Sequence, residues 1–363
     1  MTRDVPLPSW RQELSGEWDE LAARLRAPPF LYPGWIVAWC RAFGGRLHTI
    51  EHRFRDELVG LVPVLVSGSA VRLPSNWHTP LSGSLASDAD VARGLAATLA
   101  KSGVERLSLW PLDSDDRLVA SWADTAAGFR LVTRQVFASP FVVTSDGWDT
   151  YLSTLSRKAF GEMRRRRRRL EEGARVWLDV RDGREELDRL LDEGFAIEGS
   201  GWKDKIGTSI ALSPAADRFY RDVARWAADK GWLRLAFLRR DDKAIAFDYC
   251  LEHDRRHYLV KTGYRPEFSQ HGPGAMLRLA MLERAFRSGI ASYEFLGGEA
   301  PWKRTWTTSS RVRLRIDAFA RTPARTVEWA AHAYARPIAR QVITRTRSLV
   351  ERRGRTTALG RAR

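Results

Sequence analysis

The stretch that decides the fold runs from Tyr258 to Lys303 and reads YLVKTGYRPEFSQHGPGAMLRLAMLERAFRSGIASYEFLGGEAPWK. Residues 257–264 have the pattern of a strand, and a loop rich in glycine and proline follows. Residues 274–288 are apolar on most helical faces, which predicts a buried helix. Another strand is predicted over 291–296, ending at two glycines. The stretch therefore predicts a strand, a buried helix and a returning strand in succession.

The residues before this stretch predict a meander of strands. Two strands are predicted over 233–239 and 244–252, directly before the strand at 257–264, and polar turns separate them. Helices are predicted over 185–198 and 214–230 upstream. A last strand is predicted over 312–319. We expect a mixed sheet with helices packed against it.

The first part of the chain predicts a further α/β unit. Amphipathic helices are predicted over 15–26 and 33–43, followed by strands over 47–54 and 58–66. Helices and strands then alternate as far as Thr144. The fold class is therefore α/β.

Three segments are expected in the chain: domains over 1–144 and 145–320, and a basic tail over 321–363. The tail contains eleven arginines and two glutamates. A helix is predicted over 327–350, and disorder is expected over 353–363.

Composition limits the class of protein. The 363 residues are 44% hydrophobic and 29% charged, which excludes wholesale disorder. The net charge of +16 favours anionic partners. Two cysteines, Cys40 and Cys250, exclude a disulfide scaffold, and no histidine–cysteine spacing supports a metal site. Without a signal or a long apolar run, we expect a cytoplasmic protein whose basic residues contact an anionic membrane surface.

Four short motifs give the chain its resemblance to a family. They are the Lys261–Tyr264 turn, Pro273–Gly274, Glu294–Gly298 and the Lys303–Trp306 segment. Together they resemble the GNAT-type acyltransferases of the cellulose-biosynthesis-associated family, which are related to the Fem-type aminoacyltransferases. The resemblance implies tandem GNAT-like domains and transfer of an acyl group from acyl-CoA, such as acetyl-CoA, to an amine or hydroxyl. It implies a glycan or small-molecule acceptor in polysaccharide or cell-envelope biosynthesis.

The resemblance also implies where the acyl donor binds. In a GNAT fold the strands at 257–264 and 291–296 splay apart, so unpaired backbone can bind pantetheine as an added strand. Amides at the next helix start suit a pyrophosphate. Ser269 stands where Gln or Arg is usual and Pro273 lacks an N–H, so a different carrier stays open. The expected donor-binding residues are Lys261, Gly263, Gln270, His271, Gly272, Gly274 and Ala275.

Acyl transfer needs a group that removes a proton and one that protonates the thiolate. Glu294 and Glu299 are the candidate bases, and Tyr264 is the candidate acid. The alternative for Glu294 is a salt bridge to a nearby basic residue, and the alternative for Tyr264 is a packing role.

The acceptor is expected in the cleft between the domains. Glu198, Trp202 and Lys203 resemble the family's E…WK segment. With Lys303, they are the expected acceptor-binding residues.

Two other functions stay open because the chain is so basic. Six arginines, Arg164–Arg169, surround the helix predicted over 157–172, and they form either a solvated face or a guide for anions. One rival is Fem-like aminoacyl transfer from tRNA. The other is a non-catalytic, polyanion-binding protein on a GNAT scaffold. No DNA-recognition motif occurs, so a nucleic-acid partner is not expected.

Overall fold

The computed structural model describes residues 7–125, 128–200 and 210–335. In these residues the strands are β1 (Leu47–Phe54), β2 (Glu57–Ser67), β3 (Ala70–Arg72), β4 (Leu85–Ala86), β5 (Arg106–Asp113), β6 (Phe129–Val143), β7 (Val176–Arg181), β8 (Leu233–Arg240), β9 (Lys243–His253), β10 (Arg256–Tyr264), β11 (Ser292–Glu294) and β12 (Ser310–Ala320). The α-helices are α1 (Leu14–Arg24), α2 (Pro33–Phe43), α3 (Ala89–Lys101), α4 (Arg117–Thr125), α5 (Trp148–Thr154), α6 (Arg157–Glu171), α7 (Leu187–Gly199), α8 (Pro214–Asp229), α9 (Pro273–Arg287), α10 (Pro301–Arg304) and α11 (Pro323–Ala330).

A mixed, twisted sheet with helices against it organises the molecule. Its order across the described residues is β1-β2-β3-β5-β12-β6-β11-β10-β9-β8-β7, and β4 pairs with β2. The long strand β6 joins the two parts of the sheet, because it pairs with β12 along most of its length and with β11 at its end. The last strand, β12, therefore returns to lie between β5 and β6.

Local signals explain most element boundaries. Pro214 occupies the first turn of α8, where its missing N–H costs nothing, and the Ser213 hydroxyl accepts from the Ala216 N–H at 3.2 Å. The helix predicted over 327–350 instead begins at Pro323, and a π turn over 331–335 follows it. The rest of that predicted helix lies outside the described residues.

One hydrophobic core is shared by both halves of the chain. Trp18 and Trp35 from the first half and Phe219 and Leu296 from the second belong to a single buried cluster. The Phe30 ring packs edge-on against Tyr258 of β10, with centroids 5.3 Å apart. Because the halves bury apolar surface against each other, they are fixed in relative position.

Helix α9 packs on the opposite face of the sheet. Its Leu277, Met281 and Leu282 side chains are fully buried. Among the described residues, no helix is both long enough and apolar enough to cross a bilayer.

Candidate functional site

Strands β10 and β11 form a fork at the centre of the sheet. Their parallel pairing covers Arg256–Tyr258 and Ser292–Glu294. β10 then continues to Tyr264 alongside β9, whereas the chain after β11 follows β6. The strands diverge beyond Tyr258, as the family resemblance implied, and one edge of β10 faces the gap.

Lys303 holds the β11 side of this fork. Its buried ammonium donates to the carbonyls of Leu296 at 2.5 Å and Gly298 at 2.7 Å. The Ser139 hydroxyl of β6 donates to the Gly297 carbonyl at 2.9 Å. Burial, together with the positive charge of Arg278, lowers the pKa of Lys303 to about 8. These bonds satisfy carbonyls that follow β11, so they keep the chain there from pairing with β10.

Arg278 of α9 lies buried under the fork and connects its two sides. Its guanidinium contacts the two Asp248 carboxylate oxygens on β9 at 2.6 and 2.8 Å. It donates to the Thr262 hydroxyl on β10 at 3.2 Å and to the Tyr293 hydroxyl on β11. One side chain therefore fixes α9 against three strands.

Helix α9 begins beside the end of β10. Gly272 has a left-handed φ of 65°, which favours glycine, and Pro273 starts the helix. A Cβ atom added to Gly272 would lie 3.4 Å from Arg166 Nη1, and one added to Gly274 would lie 3.3 Å from Tyr264 Cδ1. A guanidinium, a tyrosine ring and a helix N-terminus thus meet at the predicted phosphate loop.

The other residues predicted for this loop line its rim. Gln270 is exposed, and its amide lies 3.3 Å from the His271 ring. His271 is half-buried, and Ala275 packs against the core around α9. Gln270 and His271 lie on the short connection before Gly272, and Ala275 lies in the first turn of α9.

The arginine run of α6 is mainly solvated and internally paired. Glu162 pairs with Arg165 at 2.8 Å and with Arg166 at 2.9 Å, and Arg167 pairs with Glu171 at 2.8 Å. These i,i+3 and i,i+4 pairs favour the solvated interpretation for most of the run. Arg166 differs because it reaches Gly272.

A cavity of about 500 Å³ opens between the two halves at the base of the fork. Tyr258 and Glu294, the last pair before the strands diverge, both line it. Glu294 is buried, accepts from the Ser292 hydroxyl at 2.9 Å and pairs with Arg311 at 3.1 Å. Glu294 therefore makes the salt bridge named as its alternative role. Other residues lining the cavity include Phe30, Leu81, Asp113, Asp116, Arg256, Leu296 and Arg313.

The remaining catalytic candidates lie near the surface. Glu299 is exposed and pairs with Arg304 at 2.9 Å. Tyr264 is 39% exposed at the end of β10, next to the α9 N-terminus. Of the three predicted catalytic residues, Glu294 and Tyr264 thus lie at opposite ends of the fork, and Glu299 lies apart from both.

Lys261 and Glu198 both lie on the face of the fork opposite α9. The Lys261 ammonium lies 5.2 Å from the Tyr220 ring centroid. Glu198 is buried on α7 and accepts from the Ile210 N–H at 3.0 Å. A Cβ atom on Gly263 would lie 2.5 Å from the Glu198 Cα, so this glycine allows β10 and α7 to approach closely. Trp202 and Lys203, predicted with Glu198, lie outside the described residues.

His78 and Arg278 were not predicted from the sequence. His78 belongs to a loop of the first half, yet its Nδ1 lies 3.1 Å from the Tyr220 hydroxyl of α8. No local pattern could have placed it there, because the contact joins residues 142 positions apart. Arg278 could have been suspected as a charge inside a predicted buried helix. In the part of the chain that the structure describes, no cluster of metal-ligating side chains occurs.

Comparisons with known proteins agree with this geometry. Residues 157–304 match the family described as an acetyltransferase (GNAT) domain. The fork, the buried helix and its glycine-bearing start all lie inside that range. This part of the chain therefore matches a GNAT domain, and it lies in a mixed, twisted sheet that is flanked by helices.

Similar solved structures share the fold at low identity. FemX is 12% identical with a TM-score of 0.59, covering 87% of this chain and 98% of that one. L-PGS from Bacillus licheniformis is 10% identical with a TM-score of 0.56, covering 90% and 98%. A conserved protein of unknown function from Bacteroides thetaiotaomicron is 15% identical with a TM-score of 0.55, covering 87% and 99%. No curated protein sequence matches the chain.

Proposed function

We propose that this protein transfers an acyl group from acyl-CoA to an amine or hydroxyl of a cell-envelope or polysaccharide precursor. The observation that carries the proposal is the fork, whose open strand edge leads to a helix start beside an arginine. The backbone of β10 would bind the pantetheine amides, and the start of α9 would bind the pyrophosphate. Arg166 would add a charge-assisted contact to that phosphate.

The acceptor would bind in the cavity between the halves. That cavity adjoins the fork and combines apolar walls, such as Phe30 and Leu81, with charged side chains, such as Arg256 and Arg313. An acceptor with a sugar-like or acidic part suits this lining. The acyl carbon would then lie at the fork, between the donor and the acceptor.

Donor binding tests the proposal directly. A ligand that binds only the folded state raises the free energy of unfolding, by about 2.7 kcal/mol at a ligand concentration of 100 Kd. The melting temperature rises with it. We expect acetyl-CoA or a longer acyl-CoA to stabilise the wild type. Gly274→Glu places a carboxylate at the phosphate loop and should abolish the shift.

Gly16→Glu is the matched control, because a side chain at Gly16 meets no neighbouring atom and lies on α1. It should keep the full shift. Stabilisation by charged tRNA but by no acyl-CoA would contradict the proposal and favour aminoacyl transfer. Steeply salt-dependent binding of heparin without any acyl-CoA response would favour the non-catalytic rival.

A further inference from the structure

His78 brings an imidazole from the first half of the chain to the fork in the second. It follows β3 in a loop, and its ring stacks on Phe43 of α2 with centroids 5.2 Å apart and an interplanar angle of 8°. Its Nδ1 lies 3.1 Å from the Tyr220 hydroxyl of α8. The ring orientation is therefore fixed from two directions.

The same tyrosine links His78 to the open strand. The Tyr220 ring lies under the Lys261 ammonium, 5.2 Å from its centroid, and Lys261 belongs to the length of β10 beyond its pairing with β11. The charged groups that act on His78 are Lys261 of β10 and Glu198 of α7. Burial, reinforced by Lys261 and opposed by Glu198, lowers the pKa of His78 to about 4. The imidazole is therefore neutral at physiological pH, so one ring nitrogen is a donor and the other an acceptor.

We propose that His78 is the general base of acyl transfer, with Tyr220 as its positioning residue. The inference rests on the proposed function. Because His78 does not line the cavity, we place the reacting group of the acceptor beyond it, in the fork beside Lys261. The Nδ1–H donates to the Tyr220 hydroxyl oxygen, and the Nε2 lone pair takes the proton of that N–H or O–H. The acceptor atom bonds to the acyl carbon as the C–S bond breaks, and CoA leaves as a thiolate that solvent protonates.

Comparing a weak and a strong nucleophile distinguishes a general base from a residue with only a structural role. The probe is acetyl-CoA, with release of free CoA measured either in water or with added hydroxylamine. Water needs a base to attack, whereas neutral hydroxylamine attacks a thioester without one. His78→Gln should lower hydrolysis about 100-fold or more, in the range typical of a lost general base, and leave hydroxylamine-dependent release within about threefold. Tyr220→Phe should lower hydrolysis less, with unchanged acetyl-CoA binding.

His48→Gln is the matched control, since His48 is also buried and hydrogen-bonded, at 2.9 Å to the Leu7 carbonyl, but lies on edge strand β1. It should leave both rates unchanged. Equal losses with both nucleophiles, or no loss in His78→Gln, would overturn the role of His78 while the proposed function stands. A wild type that raises CoA release above the protein-free rate with neither nucleophile would overturn the proposed function, and the base with it.

Discussion

At the scale of single residues, two positions predicted to bind ligands contact the backbone of neighbouring elements. Gly263 provides the space in which α7 approaches β10, and Lys303 satisfies the carbonyls that follow β11. Both residues lie beside the fork, so they would affect a bound donor through the shape of the fork. Substitutions of Gly263 and Lys303 can show whether each residue stabilises the fold or contacts the ligand directly.

Substituting Gly263 by alanine should destabilise the protein. The new Cβ would meet backbone at 2.5 Å, and backbone cannot move aside as a flexible side chain can. We expect a loss of about 1–3 kcal/mol in the free energy of unfolding, measured by urea denaturation. Gly16→Ala is the control and should be neutral or stabilising by up to about 1 kcal/mol. Equal stability of the two variants would disprove the close approach.

The main effect of Lys303→Met should be a loss of stability, and not a loss of ligand binding. It removes two charge-assisted hydrogen bonds and leaves two carbonyls without their donor. We expect a destabilisation of about 2 kcal/mol or more by urea denaturation. Lys243→Met, which removes an exposed pair with Glu267, should change stability by less than about 1 kcal/mol. Full stability of Lys303→Met combined with lost acetyl-CoA binding would instead assign Lys303 to the ligand.

At the scale of elements, the fork depends on α9 as much as on its strands. Arg278 reaches from this helix to β9, β10 and β11, so the helix start and the gap are held in one arrangement. The sequence predicted the helix and both strands because each has a strong local pattern. The role of Arg278 could not be predicted from local patterns, because its guanidinium joins four elements that are distant in the sequence.

Arg278→Met should therefore be strongly destabilising. It leaves the Asp248 carboxylate buried without its partner, which typically costs about 3–5 kcal/mol. The double variant Arg278→Met with Asp248→Leu should recover part of that loss. Arg287→Met, which breaks an exposed i,i+4 pair on the same helix, should cost less than about 0.5 kcal/mol. A double variant no more stable than Arg278→Met alone would contradict this account.

At the scale of the whole molecule, the two halves share both a core and a strand. Most of the longer helices and strands were predicted to within about three residues from alternation, glycines and prolines, whereas the short strands β3 and β4 were not. The position of β12 between β5 and β6 was not predicted, because it depends on pairing between residues about two hundred positions apart. His78 was missed for the same reason: its hydrogen-bond partner, Tyr220, lies in the other half of the chain.

The contact between the halves makes stability depend on pH. The pKa of His78 falls from 6.5 to about 4 on folding. Between these pH values the unfolded chain binds more protons than the folded one, so stability decreases as the pH falls through this window. The melting temperature of the wild type should drop more steeply than that of His78→Gln between pH 6.5 and about pH 4. Parallel curves for the two proteins would show that His78 titrates normally.

The most direct test of the fork is amide hydrogen exchange with and without acetyl-CoA. If pantetheine pairs with the open edge of β10, exchange should slow for Leu259–Tyr264 and at the start of α9. Exchange in β8, which β7 and β9 flank on both sides, should be unchanged. Protection confined to other elements, or no protection at ligand concentrations that saturate binding, would contradict the account.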